Sequence, residues 1–135
     1  MIFVDSSVWI DFLQSTRSPH QDHLTELIRW PGVVGIPGPV IQEVLQGVRG
    51  EELFQRVRED LLRFPIIHAD TATYVEGARL YQRLASKGTV VPPGDVTIAV
   101  LAIQFHGELY TLDQRHFHPI APQSALRLYR LPHSA

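Results

Sequence analysis

Four carboxylates, Asp5, Glu43, Asp95 and Asp113, each stand at the end or edge of an apolar stretch. Asp5 closes the strand-forming run in MIFVDSSVWIDFL, Glu43 borders the apolar stripe of PVIQEVLQGV, Asp95 opens VTIAVLAIQF, and Asp113 follows ELYTL. Carboxylates brought together repel one another, so their pKa values rise unless a cation compensates. Hard oxygen donors suit Mg²⁺ or Mn²⁺. Such an ion deprotonates water and stabilises the charge that develops on a phosphate, so an acidic cluster without another nucleophile points to phosphodiester hydrolysis. Thr111 lies two residues before Asp113, on the same strand face, where it can orient a carboxylate or a bound water.

Taken singly, these acids have plainer readings. Asp is a preferred N-cap, which would account for Asp5 and Asp95. Glu43 alone reads as a solvated helix edge and Asp113 alone as a turn residue. Their positions gain meaning from the elements around them. Residues 2–4 read as a strand and residues 6–13 as a helix carrying Val8, Trp9, Phe12 and Leu13 at helical spacing. Further helices are expected at 20–30, 39–48, 51–64, 70–86 and 95–106, with Pro39 opening the second of these and Gly107 as C-cap of the last. Strands are expected at 32–36, 66–67, 108–112 and 125–129. Alternating strands and helices imply an α/β fold whose central, mainly parallel sheet is covered on both faces. In such sheets ligands gather beyond the carboxyl ends of the strands, and Asp5 and Asp113 both occupy that position. Asp95 begins a helix apolar around almost its whole circumference, hence one buried at the centre of the domain. Gly47, one turn after Glu43, leaves room beside that acid.

Composition narrows the alternatives. At 135 residues the chain reads as a single domain, 1–135, able to fold without staples. It has no cysteine, which rules out disulfides, thiolate metal sites and cysteine nucleophiles and fits a cytoplasmic protein. No stretch approaches the apolar length of a membrane span. The net charge of −2 gives no overall basic signature, although Lys87 is the only lysine and arginine, the better bidentate phosphate ligand, supplies the remaining basic residues. A haloacid-dehalogenase-type phosphatase needs a second Asp where Ser7 stands, and a receiver domain needs a lysine after a late strand, whereas Lys87 ends a helix. Neither a P-loop nor a GxSxG motif is present.

The blocks IFVDSSVWIDFL, PVIQEVLQG and GDVTIAVLAIQFHGELYTLDQRHF, in this order and spacing over nearly the whole chain, resemble the PIN-domain nucleases, and among them the VapC-type toxin ribonucleases of type II toxin-antitoxin pairs. The resemblance implies a PIN-like three-layer α/β/α fold. It carries the acidic quartet over to Asp5, Glu43, Asp95 and Asp113 as catalytic and metal-binding residues, with Thr111 in the accompanying polar position. It further implies a Mg²⁺- or Mn²⁺-dependent endoribonuclease acting on structured RNA such as tRNA or rRNA, commonly a homodimer, and inhibited by a VapB-like antitoxin. Thr97 departs from the family's usual aliphatic residue. On this reading Asp5 is aimed at the metal, which leaves Ser6 or Ser7 to cap the following helix. The rival is a catalytically silent PIN-like module that binds RNA or protein.

Arg115, just past Asp113, and Ser6, next to Asp5, are the substrate-binding candidates, Arg115 as a phosphate contact at the rim. Arg49, Arg56 and Arg63 recur every seven residues, but Glu52 and Glu59 precede two of them by four, so a solvated, salt-bridged helix face is favoured over an RNA track. On an extended segment His116 and His118 would share a face like two zinc ligands. No third histidine is near, which leaves His116 as a candidate at the rim of the site. Trp9, Phe12 and Trp30 read as core, with part of that face open to an antitoxin or a second subunit.

Overall fold

The structure, a computed structural model, describes residues 1–14 and 17–132. Short apolar runs form five strands: β1 (Ile2–Val4), β2 (Val34–Pro37), β3 (Ile66–Ile67), β4 (Glu108–Tyr110) and β5 (Arg127–Leu128). They make one sheet in the order β3-β2-β1-β4-β5, parallel throughout. Ile2 pairs with Val34 on one side and Glu108 on the other. Helices α1 (Ser6–Leu13) and α2 (Pro19–Ile28) connect β1 to β2, and α3 (Gly38–Leu45) and α4 (Glu51–Leu61) connect β2 to β3. Helices α5 (Thr71–Ser86) and α6 (Pro93–Gln104) lead to β4, and the short α7 (Gln114–Phe117) with a 3-10 turn, Ala121–Gln123, leads to β5.

The chain steps from β1 through β2 to β3 in one direction, then crosses to β4 and β5 in the other. Right-handed crossovers therefore place α1 to α4 on one face and α5 and α6 on the opposite face. The packing agrees, with α1 against α2 and α3, α3 against α4, and α5 against α6. The result is a three-layer α/β/α architecture. Its strand order reverses between β1 and β4, which opens a crevice beyond their carboxyl ends.

Phe3, Val4, Ile36 and Leu109 fill the sheet's share of the core. Helix α6 buries Val96, Ile98, Ala99, Val100, Leu101 and Ala102, which explains why its sequence shows no polar face. Thr97 is half-buried, and its hydroxyl donates to the Pro93 carbonyl at 3.2 Å, so the departure from an aliphatic residue leaves no unpaired polar group. No described helix is long and apolar enough to cross a membrane.

Several boundaries differ from the sequence reading. Helix α6 starts at Pro93 with Pro92 as N-cap, so Asp95 is its third residue and not its cap. Its C-terminus is closed by a Schellman pair, His106 N–H to the Ile103 carbonyl and Gly107 N–H to the Ala102 carbonyl. The left-handed residue is His106, at φ 54°, and Gly107 follows it. Gly107 is needed for space: a Cβ there would lie 2.5 Å from Phe3 Cε2 and 2.7 Å from the Met1 carbonyl oxygen. Strand β4 ends at Tyr110, and beyond it the Leu112 N–H turns to the Ser7 hydroxyl instead of to a neighbouring strand. Only Arg56 of the seven-spaced arginines lies on α4, so they do not form one helix face. Arg63 pairs instead with Asp60 at 3.8 Å on the surface, a contact of small energetic weight. Asp70 does cap α5, in a capping box with Thr73.

Candidate active site

Strand β1 delivers Asp5 to the switch point, where its N–H donates to the Tyr110 carbonyl of β4 at 2.9 Å. Asp5 occupies the N-cap position of α1, yet its side chain makes no capping bond. Its carboxylate is buried, and Oδ2 accepts hydrogen bonds from the Thr111 hydroxyl at 2.7 Å and the Ser7 hydroxyl at 3.0 Å. Both hydroxyls are themselves held by backbone donors, the Asp113 N–H on Thr111 Oγ1 and the Leu112 N–H on Ser7 Oγ, each at 2.9 Å. With the oxygens engaged as acceptors, the hydroxyl protons point to Asp5. Only Oδ2 takes part in these hydroxyl bonds.

Ser7 is therefore neither free nor a cap, and its part in holding Asp5 is absent from the sequence reading. Its nearest sequence signal is its place two residues after the strand-ending acid. Ser7→Ala and Thr111→Val are each expected to lower activity roughly 10- to 100-fold, as loss of an outer-shell partner commonly does. Each also strands a backbone donor, the Leu112 N–H in Ser7→Ala and the Asp113 N–H in Thr111→Val, at a stability cost of about 1–3 kcal/mol that thermal unfolding would register.

An open cleft of about 390 Å³ is lined by Asp5, Ser6, Ser7, Glu43, Asp95, Asp113 and His116, with Ile10 and Pro92 on its walls. All four acids of the sequence reading thus meet in one place, and Ser6 joins them. Arg115 does not: it is exposed on α7 and is absent from the cleft lining. Gly47 lies beyond the end of α3, and a Cβ there would meet only the Val44 carbonyl, at 3.8 Å, so it does not make room for Glu43; Gly94 borders Glu43 instead, at ordinary contact distance.

Asp113 serves two purposes. Its Oδ1 accepts the His116 N–H at 3.2 Å, which caps α7, and its Oδ2 lies 2.9 Å from His116 Nδ1. The segment carrying His116 and His118 is thus a helical turn and not an extended stretch, so the two rings do not share a face. His116 enters the acidic cleft, while His118 lines a separate cavity with His20, Tyr110 and Tyr129. Nδ1 of His116 is also 2.7 Å from Asp95 Oδ2. Neither contact has hydrogen-bond geometry, so among the described residues this buried nitrogen has no hydrogen-bond partner.

Burial raises the pKa of Glu43; the Ser6 hydroxyl beside it opposes that rise, and the charges of Asp5 and Asp95 add to it. Burial likewise raises Asp95, against the opposing influence of His116 and with help from Asp5 and Asp113. This is the signature of acids gathered in a site that favours positive charge. A carboxyl with a raised folded-state pKa favours the folded chain most below its unfolded pKa, about 4, and that contribution is lost as pH rises through the elevated value. The metal-free protein should accordingly lose thermal stability over that interval, and Glu43→Gln should flatten the decline. Melting curves across pH, with and without Mg²⁺, would check it.

One oxygen each of Asp95 and Asp113 and Nδ1 of His116 lie within 4.8 Å of one another, a donor set compatible with a divalent cation. A parallel α/β domain with an acidic crevice at its switch point is the class defined by this fold and cleft. The family model for the PIN domain matches residues 2–121, and the chain belongs to the PIN-domain family. Among solved structures, the chain is similar to the DNA-bound VapBC of Salmonella typhimurium, at 20% identity over 95% of this chain and 96% of that one, with a TM-score of 0.79. It is similar also to VapBC-1 of nontypeable Haemophilus influenzae, at 18% identity over 96% and 97%, TM-score 0.75. Mycobacterium tuberculosis VapC20, a sarcin-ricin loop cleaving toxin, aligns at 13% identity over 92% and 95%, TM-score 0.67. Identities this low carry the fold alone. A search of curated proteins finds no match.

Proposed function

We propose that this chain is a single PIN domain acting as a VapC-type endoribonuclease toxin, dependent on Mg²⁺ or Mn²⁺ and neutralised in the cytoplasm by a VapB-like antitoxin. The observation that carries this reading is the convergence of Asp5, Glu43, Asp95 and Asp113 on one cleft, with Thr111 and Ser7 clamping Asp5. Asp5, Asp95, Asp113 and Glu43 would hold the cation. When bound, the ion supplies Lewis-acid activation of water and neutralises charge developing on the scissile phosphate.

The chain's own contribution is positioning. Thr111 and Ser7 fix the rotamer of Asp5, and the turn of α7 fixes Asp113 relative to His116. Glu43, whose carboxyl burial pushes above its ordinary value, lines the same cleft and is suited to exchange a proton there. Ser6 lies where a substrate phosphate can accept its hydroxyl. The openness of the cleft suits a folded RNA segment such as a loop of tRNA or rRNA, whose unstacked nucleotides can enter from the side.

The solved toxin-antitoxin complexes of the same fold support a VapB-like partner. The apolar edge of α1 is the surface it would cover: Leu13 is exposed beside Trp9, Phe12 and Phe64 in a groove of about 190 Å³, and Trp9 Nε1 is buried without an acceptor among the described residues. Trp30 is 67% exposed and is not part of the core. A homodimer, common in the family, is part of the same proposal.

Incubation of the purified chain with total bacterial RNA tests the activity. Discrete cuts should appear with Mg²⁺ or Mn²⁺ and disappear with a chelator. Equal cleavage under both conditions would remove the metal from the account, and no cleavage by a metal-loaded protein on RNA from several hosts would favour the silent module.

A further inference from the structure

We infer that His116 is a nitrogen ligand of the metal, giving this site a mixed oxygen and imidazole donor set that favours Mn²⁺ over Mg²⁺. The inference rests on the metal reading above and deepens it. His116 Nδ1 sits 2.7 Å from Asp95 Oδ2 and 2.9 Å from Asp113 Oδ2. These are close to the separation of about 3.0 Å between adjacent ligands of an octahedral ion with bonds of ~2.1 Å.

Direction matters as much as distance. A histidine that merely bridged two carboxylates would aim its N–H at one of them, as charge-assisted hydrogen bonds do. Here neither contact has hydrogen-bond geometry, and among the described residues the buried Nδ1 has no hydrogen-bond partner. A ring nitrogen held 2.7 Å and 2.9 Å from two carboxylate oxygens, without hydrogen-bond geometry to either, is placed to share a cation with them. The backbone supports the arrangement, since the Asp113 carboxylate caps the turn that carries His116 and so ties the two candidate ligands together at a spacing of three residues.

Imidazole suits first-row transition ions, whereas Mg²⁺ is served best by oxygen ligands and water. A nitrogen in this donor set therefore shifts the site's preference toward Mn²⁺. The ring must then bind through Nδ1 and carry its proton on Nε2.

The test is pulsed electron paramagnetic resonance of Mn²⁺ bound to the full chain, together with Mn²⁺ and Mg²⁺ titrations by calorimetry. The expected result is a ¹⁴N modulation in the wild type that persists in His118→Ala and vanishes in His116→Ala. Mn²⁺ affinity in His116→Ala should fall about 10- to 100-fold, and Mg²⁺ affinity by no more than about threefold. Mn²⁺ bound with no nitrogen modulation in the wild type would overturn the ligand role and leave the acidic metal site standing. Failure of the wild type to bind either ion would overturn both. The wild-type spectrum decides the matter without any variant, so a folding defect in His116→Ala cannot obscure it.

Discussion

Asp5→Asn is expected to lower RNA cleavage at least about a thousandfold, equivalent to ~4 kcal/mol of transition-state stabilisation. Two effects combine. The substitution removes one negative charge from the cation's surroundings. It also replaces a carboxylate that accepts two hydroxyl protons, from Thr111 at 2.7 Å and Ser7 at 3.0 Å, with an amide. If the amide NH₂ faces those hydroxyls, donors confront donors; if the amide oxygen faces them, the NH₂ is turned toward the cation. Either orientation disrupts one half of the arrangement. Stability should change in the opposite sense or hardly at all, because a repelling charge is removed from among Glu43 and Asp95, whose pKa values Asp5 helps to raise. Single-turnover cleavage assays beside thermal melts would separate the two readouts, and a loss of activity that merely tracked unfolding would count against the assigned role.

Gly107→Ala should be the most damaging small substitution in the scaffold. The added methyl would meet Phe3 Cδ2 at 2.8 Å, Phe3 Cε2 at 2.5 Å and the Met1 carbonyl at 2.7 Å. Phe3 is fully buried, and the Met1 carbonyl accepts the Glu108 N–H that begins the pairing of β1 with β4, so neither neighbour yields easily. Overpacking of this kind costs about 3 kcal/mol or more, enough to lower the melting temperature by roughly 10 °C in a domain of this size. Gly35→Ala supplies the contrast. Its closest neighbour is Met1 Sδ at 2.5 Å, the end of a flexible, exposed side chain that can swing aside, and its contact with Phe3, Cδ1 at 3.3 Å, asks for a shift of only a few tenths of an ångström. Equal destabilisation by the two substitutions would contradict the packing described for β1.

The pattern behind these effects was legible in part. Asp5, Glu43, Asp95 and Asp113 stand out because each interrupts or ends an apolar run, and a parallel sheet gathers strand ends at one crevice. The acidic site thus follows from local pattern plus a topological rule. What escapes that logic depends on a single turn or on contacts across more than a hundred residues. His116 is a rim candidate from its place after Asp113, but its contacts with Asp95 and Asp113 depend on a four-residue helix that the Asp113 cap creates and that the extended reading of QRHFH does not contain. Ser7 meets Asp5 locally but gains its orientation from the Leu112 N–H, 105 residues away. Gly107 looks like a helix terminator because glycine favours positive φ, yet His106 takes that conformation and the glycine answers to the strand beside it. The seven-residue spacing of Arg49, Arg56 and Arg63 suggests a common face only if one helix spans all three, and α4 is too short.

The central claim is that the acidic cleft cuts RNA with the help of a divalent cation. Inducible expression of the wild type and of Asp95→Asn in a bacterial host, with growth followed and new RNA 5′ ends mapped across the transcriptome, tests it most directly. The account predicts growth arrest and a small set of discrete new ends in structured RNA with the wild type, and neither with Asp95→Asn. Arrest by both proteins without new RNA ends would contradict it and transfer the effect to a binding surface outside the cleft.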